Sequence, residues 1–183
     1  NSFVLAKTMM NPTLPQGYDC DTLNAEVLLN RASVRNGRLV LPDGMSYRYL
    51  VLPHQADWKA SPVVLRKIAD LVAGGLTVVG PRPVAAPGLT GYPKCDREVA
   101  RLAERLWGRE PAAAGERKQG KGRVIWGKPA SQVLAEAGVM RGFECAQNPD
   151  TAILNIHRTT KDTEIYFVSN QDPRPKDIQG VFR

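Results

Sequence analysis

The fold is decided by residues 47–80, which read YRYLVLPHQADWKASPVVLRKIADLVAGGLTVVG. The apolar run before Pro53 predicts a strand buried on both faces, as in a sheet covered by helices. Ser61-Pro62 predicts the N-cap and first position of a helix, and Gly74-Gly75 predicts its end. Residues 76–80 predict the next buried strand. Strand, helix and strand in roughly thirty residues predict a βαβ unit with a right-handed crossover.

The same alternation continues downstream. Asp96 is predicted to cap a helix with one apolar face, which ends at Gly108. Residues 109–122 are polar and rich in glycine, so they predict a loop. Residues 123–126 predict a third buried strand, and residues 129–137 a short helix.

Hairpin signals lie on both sides of this region. Residues 21–32 predict a helix capped by Asp21. Asn36-Gly37 then predicts a two-residue hairpin turn, because both of its positions require positive φ, and Asp43-Gly44 predicts a second turn. Near the C-terminus, residues 152–158 and 163–169 predict an antiparallel hairpin.

Together these segments predict an α/β domain over residues 18–170. We expect a three-layer sandwich with a mostly parallel sheet, flavodoxin-like or class I amidotransferase-like, that ends in the C-terminal antiparallel hairpin. Residues 1–17 contain prolines without a sustained period and predict an irregular lead-in. Residues 171–183 predict a tail that ends in a strand cut short. The lack of an initiating Met favours an origin inside a longer chain.

Composition narrows the class of protein. The 183 residues are 43% apolar and 23% charged, which is typical of a globular domain, and no apolar run is long enough to span a membrane. The net charge is +7. Its densest cluster, residues 116–123, has no interleaved aromatic residues, so we expect a solvated loop and no nucleic-acid partner.

No complete active site is recognisable. Residues 115–122 nearly match a phosphate-binding P-loop, but Gly122 takes the place of its Ser/Thr and the segment leads into a strand, not a helix. Cys20, Cys95 and Cys145 form no Cys-x-x-Cys pair, and none has the small neighbours of a nucleophile elbow. The glutamates single out no acid–base pair. We therefore predict no catalytic residue, no metal site and no cofactor.

Three side chains follow buried strands and are candidates for ligand binding. His54 follows the first strand, at the carboxyl edge where α/β sheets place ligands. Arg82 and Lys128 follow the second and third, so a crevice lined by His54, Arg82 and Lys128 is the predicted ligand site. His157 lies within an apolar strand, and we expect a structural role in which it bonds to a backbone or carboxylate partner.

A family resemblance is carried by the order of several motifs. LPQGYDCDTLN at residues 14–24 precedes NGRLVLPDGMSYRYLVLP at residues 36–53, and VGPRP at 79–83 and LWG at 106–108 follow. His157-Arg158 and IYFVSN complete the series, which extends from about residue 15 to residue 170. In this order the motifs resemble a stretch of the bacterial α-L-rhamnosidase-like glycoside hydrolases of family 106.

The resemblance implies a large, multidomain, usually exported enzyme that removes rhamnose from plant polysaccharides or glycosides. In that family the acidic catalytic pair and calcium ligands lie in a barrel, and no segment of this chain matches the barrel motifs. The resemblance therefore implies a non-catalytic structural domain whose partners are the barrel and a following β-sandwich, towards which the tail would lead.

The rival hypothesis is a stand-alone flavodoxin-like module that binds a small ligand or a carbohydrate in the crevice. If the structural-domain hypothesis holds, the isolated chain should expose an apolar face and self-associate. The residues expected on that face are Val84, Leu89, Tyr92, Val181 and Phe182.

Overall fold

The computed structural model describes Pro12 and residues 17–55, 57–145 and 153–183. The chain divides into a core unit, Thr22–Pro129, and a terminal unit made of Asn1–Asp21 with Ala130–Arg183. Most of the predicted lead-in, residues 1–17, lies outside the described residues. The boundary predicted at residue 170 stays a prediction.

The core unit contains three helices and seven strands among its described residues. In chain order they are α1 (Ala25–Asn30), β1 (Ser33–Arg35), β2 (Arg38–Val40), β3 (Ser46–Tyr47), β4 (Tyr49–Val51), α2 (Pro62–Gly74), β5 (Thr77–Val79), α3 (Lys94–Trp107), β6 (Gly115–Gln119) and β7 (Gly122–Trp126). Strands β1, β2 and β3 form an antiparallel sheet, and a mixed sheet has the order β4-β5-β7-β6.

The predicted βαβ unit is confirmed. Strands β4 and β5 are parallel, with Leu50 beside Val78, and α2 connects them. The Ser61 side chain accepts a hydrogen bond from the backbone N–H of Val64 at 3.4 Å, and Pro62 is the first helical residue. Gly75 follows the helix with φ of 125°, a conformation that side chains disfavour.

Both predicted turns of the antiparallel sheet are also confirmed. Asn36 and Gly37 have φ of 51° and 73°, as a two-residue hairpin turn requires. Gly44, with φ of 93°, donates its N–H to the Leu41 carbonyl at 3.0 Å. The predicted cap of α1 is wrong, because Asn24 and not Asp21 accepts from the first turn.

The core lies between one face of the mixed sheet and the two long helices. Leu50, Val78 and Val124 stand side by side on adjacent strands and belong to a single apolar cluster. Helix α2 supplies Leu65, Ile68 and Val72 to that cluster, and α3 supplies Val99, Leu102, Leu106 and Trp107. Because α2 and α3 also pack against each other, both helices cover the same face.

The predicted three-layer sandwich, flavodoxin-like or class I amidotransferase-like, is wrong. Its sheet should be mostly parallel and wound in two directions, with helices on both faces. Here the order β4-β5-β7 advances in one direction, so two right-handed crossovers place both helices on one face. Most of the other strands form small antiparallel sheets.

Three further expectations fail in the core unit. The loop predicted over 109–122 contains β6, an edge strand that pairs antiparallel with β7 and has no apolar period to reveal it. Strand β4 lies at the other edge, so Val51 is 37% exposed and not buried. Asp96 does not cap α3, which begins at Lys94; its carboxylate accepts from the backbone N–H of Ala86 at 2.9 Å.

The terminal unit contains α4 (Ala130–Glu136), β8 (Phe143–Cys145), β9 (Ile153–Thr159), β10 (Glu164–Asn170) and β11 (Gly180–Phe182). The short helix and the antiparallel hairpin are confirmed, since α4 lies within the predicted range and β9 pairs with β10 over their whole lengths. The strand expected to be cut short is β11, which pairs antiparallel with β8. Among the described residues, no helix is long and apolar enough to cross a membrane.

Candidate functional site

The three predicted ligand-binding residues lie at one edge of the mixed sheet. His54, Arg82 and Lys128 follow β4, β5 and β7 respectively, two or three residues after each strand ends. These strands are adjacent and parallel, so their carboxyl ends meet at the same edge. Their ligand-binding role stays a prediction.

The backbone beneath this edge is closely packed. A Cβ on Gly80, at φ of 153°, would lie 2.5 Å from the Leu52 Cβ. The Gly80 carbonyl accepts a buried hydrogen bond from the Trp107 indole at 3.1 Å. The Arg82 guanidinium donates to the Arg109 carbonyl at 2.8 Å, which ties the loop after β5 to the loop after α3. Arg82 thus already has a structural partner.

A denser cluster of titratable groups lies in the terminal unit, around His157 on β9. The His157 Nε2 lies 2.5 Å from a Glu164 carboxylate oxygen, and the Nδ1 lies 3.5 Å from the Asp19 carboxylate. Thr159 donates its hydroxyl to the same Glu164 oxygen at 2.7 Å. Glu164 comes from β10, so the cluster joins both strands of the hairpin to the segment before the core unit.

Aromatic rings pack against this cluster. The Tyr166 ring stacks on the His157 ring with centroids 4.2 Å apart. Phe182 meets Tyr166 edge-on, and Phe143 packs against Phe182. The Tyr166 hydroxyl donates to the Arg183 carbonyl at 2.6 Å. The rings therefore join the β9–β10 hairpin to the β8–β11 pair.

Contacts within the cluster shift the pKa values of Glu164 and Tyr166. The hydrogen bond from Thr159, and then that from His157, hold the pKa of Glu164 below its ordinary value of 4.5. Burial, together with the negative charges of Glu164 and Asp19, raises the pKa of the Tyr166 hydroxyl.

This arrangement is a clamp, because both His157 nitrogens face carboxylates and neither is left for proton transfer or for a metal. The expectation that His157 has a carboxylate partner is confirmed, and its structural role stays a prediction. The sequence did not predict which carboxylates these are. Asp19 is far from His157 in the sequence, and Glu164 could have been identified only from the register of the β9–β10 hairpin.

The lowered pKa of Glu164 predicts a pH dependence. In the folded chain the pKa of Glu164 is below 4.5, so ionised Glu164 stabilises the folded state. This stabilisation is fully present above pH 4.5 and is lost as the pH falls through the folded pKa. An NMR titration of the Glu164 carboxyl should give a midpoint below 4.5, and Thr159→Val should raise it. Thr160→Val is the matched control, since the Thr160 hydroxyl bonds to Asp162 and not to Glu164. A wild-type midpoint at or above 4.5 would contradict the expected clamp.

The remaining candidates bear on catalysis and metal binding. Of the three cysteines, Cys95 is buried, Cys145 is half-buried and Cys20 is exposed. The segment that nearly matches a P-loop forms the β6–β7 hairpin, which gives no helix N-terminus for a phosphate. In the described part of the chain, no three His, Cys, Asp or Glu side chains group as a metal site would need.

Comparison with known proteins assigns the family. A sequence profile of the alpha-L-rhamnosidases, glycoside hydrolase family 106, matches residues 2–183. The chain therefore belongs to this family, and the resemblance read from its motifs is confirmed.

Two relatives show how the chain relates to longer proteins. It is 31% identical to a solved rhamnosidase from Novosphingobium sp. PP1Y, with a TM-score of 0.80, over 93% of this chain and 16% of that enzyme. It is also 35% identical to a protein from Formosa agariphila that is named as a candidate beta-glucuronidase, over 91% of this chain and 13% of that protein. The chain thus spans less than a fifth of either relative.

Proposed function

We propose that this chain serves as a non-catalytic structural domain of a larger rhamnosidase-like glycoside hydrolase that degrades plant polysaccharides or glycosides. The observation that carries the proposal is the coverage: nearly the whole chain aligns with 16% of a rhamnosidase and 13% of a second relative. The names of these two proteins suggest α-L-rhamnosides or β-glucuronides as the substrates of the whole enzyme.

The state of the carboxylates supports a non-catalytic role. Glycoside hydrolysis needs a general acid whose pKa is raised, paired with a second carboxylate. Among the described residues, the two carboxyl groups with clearly shifted pKa values, Glu164 and Asp172, are both shifted downwards, Asp172 to about 2. Hydrogen bonds from the Arg174 backbone and side chain cause the shift of Asp172. Both groups are therefore held ionised, which is the wrong state for a general acid.

Exposed apolar side chains support a role that depends on partners. In the core unit, the loop before α3 exposes Val84, Leu89 and Tyr92, and Leu89 is 82% exposed. In the terminal unit Phe182 is exposed, whereas Val181 is half-buried. Contacts between domains typically bury on the order of 600–1,500 Å². We propose that the barrel of the whole enzyme covers the loop.

Mixing this chain with a separately expressed barrel of a family enzyme tests the proposal. We expect a complex in size-exclusion chromatography, because the barrel would cover the exposed loop, and no hydrolysis of an aryl α-L-rhamnoside by the chain alone. The double substitution Leu89→Ser and Tyr92→Ser should weaken the complex by at least about tenfold.

The control removes apolar surface elsewhere in the core unit. Met45→Ser with Val63→Ser also replaces two exposed apolar side chains, and it should leave the complex intact. Hydrolysis by the chain alone that disappears with a single glutamate substitution, such as Glu164→Gln, would overturn the non-catalytic role. Equal loss of the complex in both double variants would overturn the assignment of the loop.

A further inference from the structure

The exposed side of α3 carries a row of cations. Lys94, Arg97, Arg101 and Arg105 recur every three or four residues, so they lie on one face of the helix. The opposite face is buried through Val99, Leu102 and Leu106. All four cationic residues are exposed. Successive arginines are about 6 Å apart along the helix axis, given its rise per residue.

The three acidic residues of α3 contact groups outside this row, and Asp96 accepts from the backbone N–H of Ala86. Glu98 pairs with Arg66 of α2 at 2.9 Å, and Glu104 lies 3.9 Å from Arg109. In the described ranges 17–55, 57–145 and 153–183, the ion pairs include none for Arg97 or Arg101. Arg97 and Arg101 therefore have no carboxylate at ion-pair distance within the described residues.

Strand β6 extends the row across the edge of the sheet. Arg117 is paired in register with Val124, whose side chain belongs to the cluster beneath the helices, so Arg117 stands on the same face of the sheet as α3. With the Gln119 amide oriented so that its oxygen faces α3, that oxygen accepts from Arg105 at 3.1 and 3.2 Å. We call Lys94, Arg97, Arg101, Arg105 and Arg117 the basic face.

We propose that the basic face binds an acidic polysaccharide whose repeating sugars carry carboxylate groups. Guanidinium groups bind carboxylates through two parallel hydrogen bonds, and a regular row of them suits a polymer with regularly repeated charges. Stacking of nucleic-acid bases needs aromatic rings, and the five residues of the basic face include none. The choice of a polysaccharide rests on the proposed function, whereas the anionic character follows from the charges alone.

Calorimetric titration of this chain with polygalacturonate at low salt tests the inference. We expect binding that weakens as salt is added, and no binding of neutral dextran. The triple substitution Arg97→Gln, Arg101→Gln and Arg105→Gln should weaken binding by at least about tenfold, because three exposed charge pairs are lost. Polygalacturonate should also raise the melting temperature of the wild type, since it relieves repulsion between like charges along α3.

The matched control is Arg31→Gln with Arg35→Gln and Arg48→Gln, three exposed arginines outside α3 and β6. Either triple variant lowers the net charge by three, from +7 to +4, but the control should keep its affinity within about twofold, an effect below about half a kcal/mol. Circular dichroism verifies that both variants fold.

Three results would overturn the inference: no binding of polygalacturonate at low salt, equal weakening in both triple variants, or equally tight binding of single-stranded DNA through the same arginines. The titration contains no barrel domain and measures no hydrolysis. Its failure is therefore distinct from a failure of the proposed structural role.

Discussion

Substitution of Trp107 by alanine should lower the free energy of unfolding of the core unit by about 3–5 kcal/mol. The side chain is 1% exposed and belongs to the apolar cluster between the mixed sheet and the two long helices. Its indole also satisfies the buried Gly80 carbonyl at 3.1 Å. The substitution therefore removes a large apolar group and leaves a buried acceptor without its donor, a loss comparable to much of the stability of a typical domain.

Tryptophan fluorescence during urea denaturation measures this effect selectively. All three tryptophans of the chain, Trp58, Trp107 and Trp126, lie in the core unit, so their emission reports on that unit. Trp126→Ala is the control: Trp126 also donates its indole N–H to a carbonyl, that of Ala112 at 2.8 Å, but it is only half-buried. If Trp107→Ala lowered the free energy of unfolding no more than Trp126→Ala, the burial of Trp107 in the core would be wrong.

Local chemistry explains which elements could be predicted from the sequence. The start of α2 is specified within two residues, because Ser61 can accept from the first turn and Pro62 has no N–H to lose. The Asn36-Gly37 turn is equally local, since few other residues tolerate positive φ at both positions. Such signals depend on neighbours in the chain and do not require knowledge of the sheet.

The arrangement of layers depends on long-range pairing, and there the prediction failed. Strand, helix and strand patterns are the same whether strand order reverses or continues, so they could not distinguish a doubly wound sheet from one with helices on a single face. Strand β6 exposes charged side chains and is identified only by its pairing with β7. Strand β8 has three residues and pairs with β11, far along the chain.

The candidate sites also differ in whether local sequence signals or long-range strand pairing determines them. The positions of His54, Arg82 and Lys128 at one sheet edge follow from three buried strands that the sequence predicted. The clamp around His157 required the β9–β10 register, which brings Glu164 beside it. The spacing of Arg97, Arg101 and Arg105 is visible in the sequence, but Arg117 joins them only through the pairing of β6.

Gly122→Ala should also destabilise the core unit and lower its free energy of unfolding by about 1–3 kcal/mol. Gly122 is the first residue of β7, and a Cβ there would lie 2.3 Å from the carbonyl oxygens of both Val72 and Leu76. These are backbone atoms at the end of α2 and the start of the following strand. The conflict can be relieved only if the helix and the sheet move apart, which would disturb the packing beneath them.

Gly88→Ala is the control for this substitution, because no atom lies within 4 Å of the added Cβ and no positive φ is required there. Its free energy of unfolding should change by no more than about 0.5 kcal/mol, as at other open surface positions. Denaturation followed by tryptophan fluorescence measures both variants, with all three tryptophans retained. If Gly122→Ala were as stable as Gly88→Ala, the close approach of the end of α2 to β7 would be wrong.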